Sequence, residues 1–204
     1  MTKDLQKHWE KIYKEKGPQE VSWTQEKPEG SLSFIHERAL PQDAAIIDVG
    51  GGDSKLVDFL LNEGYTDLSV LDLSAKALEK AQERLGETAQ RVEWIVADAT
   101  EFNPSRIYDF WHDRATFHFL TESALIQRYV QLVEQAVRKY LLIGTFSDQG
   151  PEKCSGLPVE QYDEEKIERT FSKAFDLIKT WREIHITPKG EEQGFIFAAF
   201  QRTR

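Results

Sequence analysis

Ile47-Asp48-Val49-Gly50-Gly51-Gly52-Asp53-Ser54 decides the reading of this chain. It ends a short apolar run, Ala44–Val49, and leads into a helical pattern in which Leu56, Phe59 and Leu60 share one face before Gly64. A strand, a glycine turn and a helix in that order leave open N–H groups at a helix start, with no side chain between backbone and ligand. A nucleotide-like ligand at the carboxyl end of the strand is the inference, against the plain alternative of a tight turn. Asp72 favours the ligand. It lies 72 − 52 = 20 residues beyond Gly52, at the end of the next strand. An acid there can accept from both ribose hydroxyls of an adenosine, although it could instead serve only to cap the helix opening at Ser74.

Outward from the glycines, strands and helices alternate. Asp67–Leu73 is a strand, and Ser74 caps a helix carrying Leu78, Ala81 and Leu85 that closes at Gly86. Arg91–Ala97 and Ile107–His112 are the next strands, Thr121 caps a helix bearing Leu125, Tyr129, Leu132, Val133 and Ala136, and Tyr140–Phe146 is the fifth strand. Strands separated by helices pair in parallel through right-handed crossovers. A last helix, capped by Asp163 with Ile167 and Phe171 inward, precedes Phe175–Ile186 and Phe195–Gln201, which flank the turn Thr187-Pro188-Lys189-Gly190 and read as an antiparallel hairpin. The fold class is α/β: a Rossmann-like, doubly wound, seven-stranded sheet, mostly parallel with an antiparallel C-terminal hairpin strand.

Residues 1–40 read as an N-terminal helical cap. Leu5, Trp9, Ile12 and Tyr13 fall on one helical face between Lys3, Lys7, Lys11 and Lys14, and a second helix after Pro28 carries Leu32, Ile35 and Ala39. The expected organisation is one domain over 1–204, with a cofactor-binding core over 41–204 and a lid-like segment at 147–162. Lys and Arg total 26 against 35 Asp and Glu, a net charge of −9 that repels phosphate backbones and anionic lipid, so neither nucleic acid nor a membrane is an expected partner. With Cys154 alone there is no intrachain disulfide. No apolar run reaches the ~18 residues of a membrane span and the first residues lack the apolar core of a signal peptide, so a soluble, cytoplasmic protein is expected. The histidines His8, His36, His112, His118 and His185 show no metal-binding spacing, and no catalytic metal is expected.

Two cofactor classes share this architecture. The dinucleotide fingerprint needs a glycine where Lys55 stands and has no use for Asp48. Asp48-x-Gly50-x-Gly52 instead resembles motif I of the class I S-adenosylmethionine-dependent methyltransferases, and the resemblance extends over roughly residues 41–204. It departs from many members at Ser54, where they carry a further glycine. The resemblance implies S-adenosyl-L-methionine as cofactor, with Gly50, Gly51 and Gly52 under its methionine part and Asp48 orienting its amino group. It also implies Asp72, with Leu73 beside it, at the ribose. Val96-Ala97-Asp98-Ala99-Thr100 resembles the family's adenine site, which gives Asp98 the exocyclic amine and the Ala99 backbone N–H the ring.

The same resemblance places substrate and catalytic groups in Trp111-His112-Asp113-Arg114-Ala115-Thr116-Phe117-His118. His112 is a candidate proton acceptor, Asp113 a candidate to orient it or the substrate, and Arg114 a candidate anchor for an anionic group, while alternation along a strand sends neighbours to opposite faces. Asp113-Arg114 is similar to thiopurine-type small-molecule methyltransferases, and Asp113–Phe117 also resembles the D-K-G-T-[FL] stretch of a protein-lysine group. The N/D-P-P-[YF] motif of enzymes acting on exocyclic or amide nitrogens is absent. Trp23, in Val21-Ser22-Trp23-Thr24, can face a sulfonium by cation–π attraction or sit in the core. Cys154 is not expected to be a nucleophile, because methyl transfer needs no enzyme thiol. The favoured activity is methyl transfer to a small-molecule acceptor, a thiol or other soft nucleophile. A protein-lysine methyltransferase is the alternative, and an NAD(P)-binding oxidoreductase or a noncatalytic adenosyl-binding module the alternatives of another class. Calorimetric titration separates the cofactors: S-adenosylhomocysteine is expected to bind and NAD and NADP are not, and the reverse result overturns the assignment.

Overall fold

The computed structural model describes residues 2–203. Five strands, β1 (Ala45–Val49), β2 (Asp67–Asp72), β3 (Val92–Val96), β4 (Tyr108–Arg114) and β5 (Val137–Phe146), run parallel. Between 147 and 162 lies a small hairpin of β6 (Lys153–Cys154) and β7 (Leu157–Pro158), and the chain closes with β8 (Phe175–Ile186) and β9 (Glu192–Arg202). The main sheet has the order β3-β2-β1-β4-β5-β9-β8, with β9 antiparallel to both its neighbours. The expected seven-stranded doubly wound sheet is thus present, and the order reverses beside β1. Ligands bind such sheets at that reversal, outside the carboxyl ends of the strands.

The central strands are buried without alternation because helices cover both faces, and all five residues of β1 are buried. On one face α2 (Glu29–Arg38), α3 (Leu56–Asn62) and α4 (Ala75–Leu85) pack Leu32, Phe34, Ile35, Leu60 and Leu78 against Ile46, Phe110 and Leu142. On the other, α5 (Ser123–Ala136) and α6 (Glu164–Phe171) pack Tyr129, Val133, Ile167 and Phe171 against Ile47, Trp111 and Ile143. Ser74 and Asp163 cap their helices as expected, accepting from Ala77 and Lys166 N–H. α5 differs: its cap position is Glu122, not Thr121, with no side-chain bond. It also runs directly into β5 at Val137, three residues before the expected start, because Val137 pairs with Tyr108. β4 likewise continues two residues beyond His112, since Asp113 and Arg114 pair with Ile143 and Gly144.

The N-terminal helix α1 (Thr2–Glu15) lies across the carboxyl ends of the strands. Gln6 Nε2 donates to the Leu73 carbonyl at 3.3 Å, and Lys80 Nζ to the Lys16 carbonyl at 2.7 Å. The 147–162 segment is pinned at its base, where Tyr162 N–H donates to Phe146 O at 3.0 Å and Asp148 N–H to Tyr162 O at 2.9 Å. Its tip turns through Ser155 and Gly156, both at positive φ, the backbone of a tight two-residue hairpin turn. No helix among the described residues is long and apolar enough to cross a membrane.

Leu142 is fully buried and pairs with His112 in the sheet. Leu142→Ala is expected to cost about 2–5 kcal/mol in urea unfolding. A loss below about 1 kcal/mol contradicts the packing described, because it requires a site able to collapse onto the void.

Candidate active site

A cleft of about 750 Å³ opens over the carboxyl ends of β1, β2 and β4, roofed by Leu5, Trp9 and Tyr13 of α1 and by the segment following it. Its floor is the glycine turn. Gly50 and Gly51 N–H both donate to the Leu71 carbonyl, at 2.7 and 3.1 Å, which fastens the turn to the end of β2. Gly50 has φ +66° and lies against Thr116, so any side chain there would overlap that hydroxyl. Gly51 lines the cleft as well. A side chain on it would stand 2.7 Å from Val70 and 2.8 Å from Asp48 Oδ2, so the missing Cβ leaves room for both. Gly52 turns toward Tyr13 and Asp72, and is not among the residues lining the cleft.

Asp48 is buried beneath this turn. Its Oδ1 accepts from His112 Nδ1 at 2.6 Å, and His112 Nε2 lies 2.8 Å from Ser31 Oγ on α2. With the carboxylate facing Nδ1, the neutral ring carries its proton there and Nε2 accepts from the serine hydroxyl. Asp48 Oδ2 is buried with no partner among the described residues, an acceptor left for a ligand donor. Asp72 lines the same cleft, with Oδ1 accepting from Ser74 N–H at 2.8 Å. Burial raises its pKa to about 7, with the negative charge of Asp48 adding to the shift and the Ser74 bond opposing it. Asp98 is half-buried, and its Oδ1 accepts from the Thr100 N–H at 2.8 Å and hydroxyl at 2.7 Å. It therefore caps its turn through one oxygen, which leaves Oδ2 for a ligand. Leu73, Ala97 and Ala99 complete that wall.

The residues expected to act on substrate separate by strand alternation. His112 and Arg114 face the cleft. Asp113 does not, which corrects its assignment to the substrate mouth: it is fully buried on the opposite face, where Oδ2 accepts from the Tyr129 hydroxyl at 2.5 Å. Its Oδ1 accepts from the Thr116 and Phe117 N–H groups at 3.1 Å each, so it shapes the turn after β4 as a positioning residue. Burial raises its pKa to about 6 against those bonds. His112 reaches the cleft, but both ring nitrogens are committed, so the free proton acceptor expected there is absent from that ring. Arg114 Nη1 donates to the Trp23 carbonyl at 3.0 Å and its guanidinium stands 4.7 Å over the Phe195 ring. Burial lowers its pKa to about 10, still charged at neutral pH.

Trp23 lines the cleft within an aromatic group, edge-on to Trp9 at 5.6 Å and Tyr13 at 5.9 Å, with Trp9 also edge-on to Phe119 at 5.1 Å. Trp9, Tyr13 and Ser31 are not expected in the site from the sequence, and Thr116 is expected only as part of the loop after β4. The amphipathic face of α1 signalled that Trp9 and Tyr13 cover something, whereas nothing in the sequence signalled Ser31. Among the described residues no group of three or more histidines, cysteines or acids could hold a metal ion.

The residues suit an adenosyl ligand with an amino-acid tail, because the orphaned Asp48 oxygen and the buried Asp72 carboxylate both call for donors. Two ribose hydroxyl bonds to a carboxylate, at about 1.5 kcal/mol or more each, predict that Asp72→Ala weakens S-adenosylhomocysteine binding about tenfold or more with the fold intact. Because those bonds need the carboxylate and the free group holds its proton up to about pH 7, wild-type affinity is expected to rise across that pH and flatten in Asp72→Asn. An unchanged affinity in both variants removes Asp72 from the site.

The model of a family described as a methyltransferase domain matches residues 46–139. A malonyl-[acyl-carrier protein] O-methyltransferase of Anoxybacillus flavithermus is 28% identical over 167 residues, 78% of this chain and 61% of the relative. A mouse eEF1A lysine and N-terminal methyltransferase is 23% identical over 140 residues, 67% of this chain and 20% of the relative. The chain thus spans less than two thirds of the length of either. The structure of the Burkholderia thailandensis 1,6-didemethyltoxoflavin-N1-methyltransferase with bound 1,6-didemethyltoxoflavin and S-adenosylhomocysteine shares the fold, with TM-score 0.72 at 16% identity, over 98% of this chain and 88% of that one. Matched domain, shared fold and a cleft suited to the adenosyl ligand agree: residues 46–139 match a methyltransferase domain, and the chain has the fold of S-adenosylmethionine-dependent methyltransferases.

Proposed function

We propose that the chain transfers the methyl group of S-adenosylmethionine to a small-molecule acceptor whose attacking atom is a thiolate or another soft, already ionised nucleophile. When bound, the cofactor supplies a methyl group activated by its sulfonium. In this reading Asp48 Oδ2 accepts from the ammonium of the cofactor, Asp72 from the ribose hydroxyls and Asp98 Oδ2 from the adenine amine, with Ala99 N–H donating to the ring. Trp9, Tyr13 and Trp23 exclude water above it, and residues 1–40 together with the 147–162 segment act as the cover. Alignment in a dry cleft then does most of the work of an in-line displacement.

One observation carries the choice of acceptor. The end of β4 presents a buried cation, Arg114, and no uncommitted proton acceptor, since His112 spends both ring nitrogens and Asp113 faces away. A protonated lysine would enter against a like charge and still have to lose its proton, whereas an ionised thiol needs neither step. Cys154 lines the cleft too, but burial raises its pKa, which makes it a poor nucleophile and a wall residue. Protein lysine remains the second reading, favoured by the likeness of Asp113–Phe117 to a lysine-methyltransferase stretch and by the mouse relative.

A panel of aryl and alkyl thiols beside lysine-bearing peptides, assayed for S-adenosylhomocysteine release, tests the proposal. Thiols are expected to exceed peptides by roughly 100-fold or more in kcat/KM, and the pH profile on each thiol to follow the ionisation of that thiol. Peptide methylation as the main product, or a profile independent of the thiol used, overturns it.

A further inference from the structure

Arg114 carries a charge with no contact ion pair among the described residues: its guanidinium is buried and forms only the bond to the Trp23 carbonyl and the contact with the Phe195 ring. Glu183 and Asp48 act on it only through space: Glu183 accepts from Trp181 Nε1 at 2.8 Å, and Asp48 Oδ1 from His112 at 2.6 Å. Nε and Nη2 have no hydrogen-bond partner among the described residues. These two donors form the side-on edge of the guanidinium, the pair of parallel N–H bonds that matches a carboxylate or similar oxyanion in two-point fashion. Arg114 belongs to the wall of the covered cleft, and both of these nitrogens are buried. The field of the unpaired charge reaches its neighbours: with burial as the main cause, it helps hold His118 down at about 3 and lowers His185. Buried guanidinium donors left open in a native fold call for a ligand.

We propose that Arg114 is the anion subsite of the acceptor, so that the methyl acceptor carries a carboxylate or an equivalent planar oxyanion besides its attacking atom. This rests on the small-acceptor reading above and narrows it to anionic small molecules. Trp9, edge-on to both Trp23 and Phe119, gives the same cleft an apolar aromatic wall for the remainder of the acceptor, which suits an aromatic or heteroaromatic acid. An acceptor seated this way brings the contact ion pair that the described residues lack, and a neutral analogue of the same shape leaves the edge unpaired.

Binding to the preformed complex with S-adenosylhomocysteine tests the subsite without any turnover, with the carboxylate of that ligand already in place. The probes are benzoate against benzamide, and 2-mercaptobenzoate against 2-mercaptobenzamide, followed by calorimetry and tryptophan fluorescence. Wild-type protein is expected to bind each acid about tenfold or more tightly than its amide, and Arg114→Gln to lose that preference. Equal binding of acid and amide by the wild type overturns the subsite even if Arg114→Gln does not fold. A preference that survives in Arg114→Gln overturns it as well. So does a variant that loses affinity for S-adenosylhomocysteine while keeping the acid preference, since Arg114 would then hold the cofactor. Because these are binding measurements, an acid preference combined with lysine methylation in the panel above would retain the anion subsite and refute the thiol reading alone.

Discussion

The hydrogen bond of 2.6 Å between Asp48 and His112 is the constraint around which the rest of the structure is arranged. The two residues are direct register partners on β1 and β4, so their side chains leave the same face of the sheet at the same height. A carboxylate buried under the glycine turn needs a donor there, and the ring supplies it, with Ser31 of α2 closing its far side. One residue of slip between the strands would send Asp48 to the face occupied by Asp113 and leave the turn without its acid. Strand register, the seat of α2 and the poise of the cofactor end of the cleft are therefore one condition rather than three.

The same bond determines what chemistry the cleft can offer. A histidine in a methyltransferase cleft suggests a base, but this ring is spent on holding Asp48, and the neighbouring acid on the strand braces Thr116 and Phe117 from behind. What remains on the acceptor side is positive charge and aromatic surface. On the proposed function, that combination suits a nucleophile that arrives ionised and is bound through a second anionic group. Catalysis then rests on alignment and on exclusion of water.

Much of this was legible in the chain. Asp48, the glycine turn, Asp72 and Asp98 all stand where strand ends bring them to one edge, and the order of strands and helices was enough to draw the sheet, because buried parallel strands and amphipathic helices leave strong local patterns. What depended on neighbours was not legible. Alternation along β4 predicts that His112 and Asp113 face opposite ways, yet which of them meets the cleft is set by pairing with Asp48, a partner 64 residues away. The close seat of Gly51 on Val70 depends on a neighbour in the same way. The ends of β4 and β5 ran further than propensity suggested because ladder partners extended them. α1 announced an apolar face without its destination, and Ser31 gave no signal because its role exists only once α2 is docked.

In the proposed site Asp48, held by His112, carries the free acceptor for the amino-acid tail of the cofactor. Calorimetry with S-adenosylhomocysteine and with 5′-methylthioadenosine, which lacks that tail, measures this directly. The account predicts that wild-type protein prefers S-adenosylhomocysteine and that Asp48→Asn loses about tenfold or more of that preference, with affinity for 5′-methylthioadenosine nearly unchanged. A preference of the same size in both proteins would contradict it.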